Sequence, residues 1–259
     1  MSERRGRKSG LDHEHGHAHG HEHGRGYGTH GNPADLDSYL ARLEGEDRIA
    51  WQKPDEVVRA LALRPGDVAC DIGVGPGYFA LRLARAVGRR GRVYAIDVEP
   101  RMIEILRERL SAEGLSNVRP ILARGRKPAL PPRRCDVILV VNTFHHFPDG
   151  PATLRAMARR LAPGGRIVNV DFHRRELPVG PPLEHKISRE DFIATAREAG
   201  LEVAAEHAFL PYQYFLALRP ASGGRKRRAS SRGAATARGR GAAAAGRARG
   251  RPRRARRPA

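Results

Sequence analysis

The residues with the most chemical potential sit in one short stretch, Asp67-Val-Ala-Cys-Asp-Ile-Gly-Val-Gly-Pro-Gly77. An apolar run reaches Asp71, Gly73, Gly75 and Gly77 follow, and a helix-like segment comes next. A strand, a glycine turn and a helix in that order bring backbone directly against a ligand, because glycine has no Cβ and accepts positive φ. The acid decides which ligand. A dinucleotide loop, G-x-G-x-x-G, aims helix N–H groups at a pyrophosphate. Here the third glycine comes one residue early, Tyr78 takes its place, and Asp71 would set negative charge beside the phosphates. S-adenosylmethionine (SAM) has no phosphate, and its ammonium and sulfonium are cationic, so that ligand suits the acid. A second carboxylate, Asp97, ends the next apolar run about 20 residues on, where a doubly wound sheet places the group that binds ribose hydroxyls.

Four segments together carry a resemblance: Asp71-Ile-Gly-Val-Gly-Pro-Gly77, Ala95-Ile-Asp-Val-Glu-Pro-Arg-Met102, Cys135-Asp-Val-Ile-Leu-Val-Val-Asn-Thr-Phe-His-His-Phe147 and Leu161-Ala-Pro-Gly-Gly-Arg-Ile-Val168. In this order and spacing the chain resembles the class I SAM-dependent methyltransferases, in particular the broad group that includes the ubiquinone/menaquinone-biosynthesis methyltransferases. The resemblance implies that Gly73, Gly75 and Gly77 cradle the methionine part of SAM and that Asp71 acts on its ammonium. It implies that Asp97 binds both ribose hydroxyls and that Val98 and Met102 pack against adenine. The loop after the fourth strand would lie beside the transferring methyl, so Asn142 is expected to border cofactor and acceptor. There Asn142 would accept a hydrogen bond from the nucleophile, and His145 or His146 would take its proton, since imidazole titrates near neutral pH. His173, Arg174 and Tyr212 are the expected acceptor-binding residues. Trp51 is expected to anchor the N-terminal helices, with Gln52 and Lys53 within reach of the SAM carboxylate. One departure stands out: relatives commonly hold the adenine amino group with an acid after strand three, whereas Leu122-Ala-Arg-Gly-Arg-Lys-Pro-Ala-Leu-Pro-Pro132 contains none.

The elements that must position these groups follow from apolar periodicity. Strands are expected over 67–72, 92–97, 118–122, 135–141, 165–171, 202–209 and 212–218. Helices are expected over 34–48, 54–63, 76–88, 99–113, 151–161 and 188–199. Alternating β and α implies a parallel sheet covered on both faces. Only Pro211 and its neighbours separate the last two runs, so these form a hairpin. The expected fold class is α/β, a doubly wound, Rossmann-like, seven-stranded mostly parallel sheet with an antiparallel last strand. Ligands in such sheets bind beyond the carboxyl ends of the strands.

The 259 residues divide by composition. Residues 1–33 are rich in Gly and His and are expected to be disordered. Residues 34–220 form the expected methyltransferase domain, and 221–259 an expected disordered Arg/Ala/Gly-rich tail. That tail carries 14 of the 48 Lys and Arg and none of the 28 acids, which leaves 34 against 28, a net of +6, for the remainder. It has no aromatics to stack bases, so it should contact nucleic acid non-specifically through phosphates. His13, His15, His17, His19, His21 and His23 alternate with small or acidic residues, a pattern for weak divalent-metal binding without the spacing of a structural zinc site. No metal site is expected in the domain. Cys70 and Cys135 fall in predicted strands, and two cysteines do not make a disulfide framework. No apolar run approaches the length of a membrane span and no secretory signal is visible, so a cytoplasmic protein is expected.

These readings lead to a SAM-dependent methyltransferase acting on a small-molecule acceptor, quinone-like or phenolic by resemblance. Two rivals remain at this level. One is an RNA or protein methyltransferase recruited by the basic tail. The other is a non-catalytic metal- or nucleic-acid-binding protein on the same fold.

Overall fold

The computed structural model describes residues 37–222 except 38, 39, 42, 44, 46, 125–129, 132 and 133. The six alternating histidines, the basic tail and most of the Arg124–Lys127 run lie outside the described residues.

The sheet is built from β1 (Val68–Ile72), β2 (Arg92–Asp97), β3 (Val118–Leu122), β4 (Cys135–Val141), β5 (Leu161–Phe172), β6 (Leu201–His207) and β7 (Gln213–Pro220). Their order is β3-β2-β1-β4-β5-β7-β6, with β7 antiparallel to both neighbours and every other pairing parallel. This is the seven-stranded class I methyltransferase sheet. The helices are α1 (Asp47–Gln52), α2 (Pro54–Ala60), α3 (Ala80–Val87), α4 (Pro100–Ala112), α5 (Gly150–Ala158) and α6 (Arg189–Glu198).

Strand residues alternate between two cores. Ala69, Val93, Ala95, Val137, Leu139 and Val168 pack with α2, α3 and α4 on one face. Cys70, Ile96, Ile138, Val140 and Ile167 pack with α5 and α6 on the other. Burial on both faces explains why these strands read as continuous apolar runs. The two-residue period also assigns the polar exceptions. Asp71 and Asp97 project to the α2–α4 face, while Asn169 and Asp171 project to the α5–α6 face.

Several element bounds differ from expectation for local reasons. The expected helix over 34–48 is interrupted at Gly45, and α1 starts afresh at Asp47 and carries Trp51 within it. Glycine is a poor helix former. Lys53 adopts φ 44° between α1 and α2, as the residue before Pro54 is kept out of the right-handed helical region. The helix expected from 76 begins only at Ala80, because Gly77 has φ 98°. The fifth helix ends at Ala158, and β5 starts at Leu161, four residues before the expected position. Leu161 pairs with Cys135, and the register then shifts before Arg166 pairs with Val137. A Cβ on Gly165 would stand 2.7 Å from the Cys135 carbonyl oxygen, so only glycine admits that approach. The sixth strand stops at His207 rather than 209.

Candidate active site

The loop between β1 and α3 is folded by three left-handed glycines, with φ 75° at Gly73, 54° at Gly75 and 98° at Gly77. Gly73 is also sterically required, since a Cβ there would meet the Thr143 hydroxyl at 2.2 Å. Gly75 is different. A Cβ there would come no closer than 3.8 Å to another atom, Leu43 Cδ1, so its backbone borders open space. A cradle of this kind admits a ligand against the main chain.

Asp97 ties this loop to β2. Its Oδ2 accepts from the N–H of Gly75 at 2.8 Å and its Oδ1 from the N–H of Glu99 at 3.0 Å. Burial pushes the Asp97 carboxyl above its ordinary range, while these backbone donors pull it back. Each carboxylate oxygen keeps a further lone pair for a hydroxyl. Val98, next in the chain, is 62% exposed, an apolar side chain left bare beside the carboxylate. Met102, expected against adenine, is instead only 2% exposed within α4. It faces inward because it shares a helical stripe with buried Leu106. At the adenine end, Ala123 N–H donates to the Asp97 carbonyl at 2.7 Å, and Arg124 is exposed.

Asp71 lies at the base of the crevice and is buried. Burial first, then the charge of Asp97, pushes its carboxyl up to about 7, and Arg48 draws it down. A desolvated carboxyl in that state gains most from an incoming cation. Arg48, a residue the sequence reading missed, is itself buried. Its guanidinium carbon stands 3.8 Å from the Tyr78 ring centroid, its Nε bonds the Gln52 amide oxygen, and it donates to the Leu43 carbonyl. Gln52 is buried away from solvent, with its amide nitrogen 3.4 Å from Gln213 Oε1. Gln213 Nε2 in turn donates to Asn142 Oδ1 at 2.6 Å. A polar chain therefore runs from α1 through β7 to the loop after β4.

That chain holds Asn142 in place. Its amide oxygen already accepts from Gln213, which leaves one oxygen lone pair and the NH2 donor for a ligand. Asn142 has φ 52°, a left-handed conformation that Asn tolerates better than most residues. The next turn, Phe144–His146, separates the two histidines. His145 is buried, with Nδ1 3.2 Å from Oδ2 of Asp171. Burial lowers its affinity for a proton, but the charge and hydrogen bond of Asp171 outweigh that, and its pKa is raised. His146 is half-buried, and its ring lies 4.3 Å from that of His145. His146 is thus the more accessible imidazole.

The wall beyond β5 is aromatic. Trp51 lies 5.6 Å from Phe172 and 6.5 Å from Tyr212 between ring centroids. Trp51 and Tyr212 are half-buried. Trp51 therefore packs across to the β5 and β7 ends instead of serving the N-terminal helices alone. His173 is half-buried, edge-on to Tyr214, and its pKa is lowered by burial and by Arg175. Arg174 is exposed. Cys70 and Cys135 are buried and unbridged, and burial together with Cys135 pushes the Cys70 thiol up, away from nucleophilic use. Among the described residues no cluster of His, Cys, Asp or Glu is arranged to hold a metal, and no helix is long and apolar enough to cross a membrane.

Comparison with known proteins agrees with this geometry. A family model described as a methyltransferase domain matches residues 69–165. The ubiquinone/menaquinone biosynthesis C-methyltransferase UbiE of Vibrio vulnificus is 31% identical over 121 residues, 46% of this chain and 45% of that protein. The protein-L-isoaspartate O-methyltransferase of Ignicoccus hospitalis is 36% identical over 112 residues, 43% of this chain and 50% of that one. The chain spans about half the length of the curated relatives it matches. The crystal structure of a SAM-dependent methyltransferase from Aquifex aeolicus superposes with a TM-score of 0.64 and 27% identity, over 70% of this chain and 96% of that one.

Proposed function

Since the chain carries a class I SAM-dependent methyltransferase domain, we propose that it methylates a small planar acceptor of quinone-like or phenolic type. The observation that carries the acceptor class is the aromatic group beyond β5, in which half-buried Trp51 and Tyr212 pack with buried Phe172. Flat apolar rings stack on such a wall. The quinone-biosynthetic names of the matched relatives point the same way.

The donor, when bound, supplies an electrophilic methyl on a sulfonium. The residues of this chain do the rest. The Gly73–Gly77 backbone and ionised Asp71 hold the aminoacyl end, Asp97 holds the ribose, and Val98 covers the adenine. The Asn142 NH2 orients the acceptor. His146 takes the proton that the acceptor oxygen or carbon loses as its bond to the methyl forms. His173, Arg174 and Tyr212 hold the acceptor's polar edge. Positioning supplies most of the rate, since a bound, aligned pair avoids the entropy of encounter.

The test is transfer of radiolabelled methyl from SAM to a panel of quinols, catechols and simple phenols, with an isoaspartyl peptide alongside. Turnover of a planar ring, with a KM raised about tenfold or more in Trp51→Ala and little change in kcat, supports the reading. Turnover of the peptide alone overturns it. A second reading, methylation of RNA or protein, draws on the basic tail and on the isoaspartate methyltransferase match. Replacing the tail arginines by Gln separates the two, because small-molecule turnover should survive that change.

A further inference from the structure

The edge of the sheet opposite the crevice carries an excess of arginine, and we infer that this face binds the phosphate backbone of a nucleic acid. The strands β2, β1, β4 and β5 are adjacent, and all begin on this edge. Arg64 lies in the turn before β1, Arg89 and Arg90 in the turn before β2, Arg92 at the first position of β2, and Arg159 and Arg160 directly before β5. All six are exposed. Backbone hydrogen bonds fix the segments to one another: Arg92 N–H donates to Asp67 O, and Cys135 N–H donates to Arg160 O.

The balance of charge on this edge is one-sided. Asp67, in the turn before β1, accepts from Arg64 N–H and Asp136, in β4, from Val68 N–H, each at 2.8 Å, while Glu113, after α4, is ion-paired with Arg85. None of the six arginines forms an ion pair among the described residues. Helix dipoles do not account for them. The helix C-termini on this edge already have their cations, Arg85 in α3, Arg109 in α4, Arg155 in α5 and Arg197 in α6, all in last turns.

Spacing and composition select the partner. Four adjacent strands, about 4.8 Å apart, spread the arginines over roughly 14 Å. One nucleic-acid strand presents a phosphate about every 3.4 Å, so about four phosphates fit that width. Guanidinium forks match phosphate oxygens in pairs. The turns contain no aromatic side chain, so bases are not stacked and sequence is not read. A lipid surface is the poorer fit. The exposed large apolar residues Ile49, Val98 and Leu183 lie in other segments, so this edge has nothing to insert between headgroups. These six arginines all lie in the domain's own segments, at the end of the sheet opposite the crevice.

The experiment uses the full chain and a short fluorescein-labelled DNA duplex, with anisotropy followed from about 50 to 200 mM salt. The variant is Arg89→Gln/Arg90→Gln/Arg159→Gln/Arg160→Gln with the tail intact, and the same set is repeated with the tail arginines changed to Gln. The expected result is a fall of about 3–4 in the magnitude of the log–log salt slope, near 0.9 per lost contact, in both backgrounds and for two unrelated sequences. Affinity at about 100 mM salt should drop at least tenfold. An unchanged slope and affinity at unchanged melting temperature overturns the inference. So does a variant that loses binding to phosphatidylserine vesicles while keeping the duplex. If the quadruple variant melts early, Arg90→Gln and Arg160→Gln alone should each lower the slope by about 1, and no change in either overturns the inference.

Discussion

Nδ1 of His145 lies 3.2 Å from Oδ2 of Asp171, and both side chains are buried where β4 and β5 end side by side. The other Asp171 oxygen accepts from Phe172 N–H at 2.9 Å, so the carboxylate is held from two sides. This pair fixes the turn on which His146 is mounted.

The His145–Asp171 pair should leave a pH signature in stability. The His145 pKa is raised, against burial, by the charge and hydrogen bond of Asp171. A raised pKa contributes stability that is complete below the free imidazole value near 6.5 and is lost as pH rises through the folded value. Denaturation midpoints of the wild type should therefore fall from about pH 6 to 8, and Asp171→Asn should flatten that fall. The same variant should cost about 1–3 kcal/mol at pH 6 for the weakened buried bonds. Equal pH slopes in the two proteins would show that His145 is neutral throughout.

Asp71 carries a second linkage, of the same sign in the ligand-free protein. Its folded pKa is raised to about 7, so its contribution to apo stability is complete below the free carboxyl value near 3.9 and is lost as pH climbs through about 7. A bound ammonium favours the ionised form. S-adenosylhomocysteine, which keeps the ammonium, should bind more tightly as pH rises, by up to about tenfold per unit between about pH 5 and 7, and level off above. Asp71→Asn should abolish the slope and weaken binding at about pH 8. Calorimetric titration at several pH values checks both, and a flat profile in the wild type would detach Asp71 from the ligand.

Asp97 joins the glycine loop to β2 through Gly75 N–H. S-adenosylhomocysteine at about a hundredfold over its Kd should stabilise the wild type by about 2.7 kcal/mol, a Tm rise of roughly 5–10 °C. That rise should vanish in Asp97→Ala. A variant that melts normally and still responds to ligand would remove Asp97 from the site.

Gly73 and Thr143 touch across the two loops that frame the crevice. Gly73→Ala combines a positive φ of 75° with a contact of 2.2 Å to the Thr143 hydroxyl. It should destabilise by roughly 2–4 kcal/mol, read from chemical denaturation. Adding Thr143→Gly should recover part of that loss, because it removes the clash and leaves the strain. Purely additive effects in this double-mutant cycle would mean that the loops do not couple.

Asp71 and Asp97 were legible in the sequence because each lies at the carboxyl end of a largely buried strand, and a carboxylate there has few structural explanations. The central strands β1, β2 and β4 and the second half of β5 were legible because double-sided burial leaves runs of Val, Ile, Leu and Ala, whereas β3 and β6 at the sheet edges are only partly buried. Helix starts and strand starts were less so. Ala80 and Leu161 open their elements where a left-handed glycine or a close strand contact dictates it, and neither shows in local periodicity.

The order of motifs, the apolar strands and the loop glycines determined the fold and the end of the sheet at which the glycine loop lies, because these are local properties of the chain. The tertiary structure alone decided how the polar groups pair. It buries Met102, turns the Asn142 amide oxygen to Gln213, separates buried His145 from accessible His146, and brings Arg48 and Gln52 from α1 to the crevice. It also lines up arginines from three separate turns, and from the start of β2, on one edge. Such partnerships join residues up to 161 positions apart, as in Gln52 and Gln213. They depend on which strands are neighbours, and strand order is a property of the folded chain that no single segment encodes.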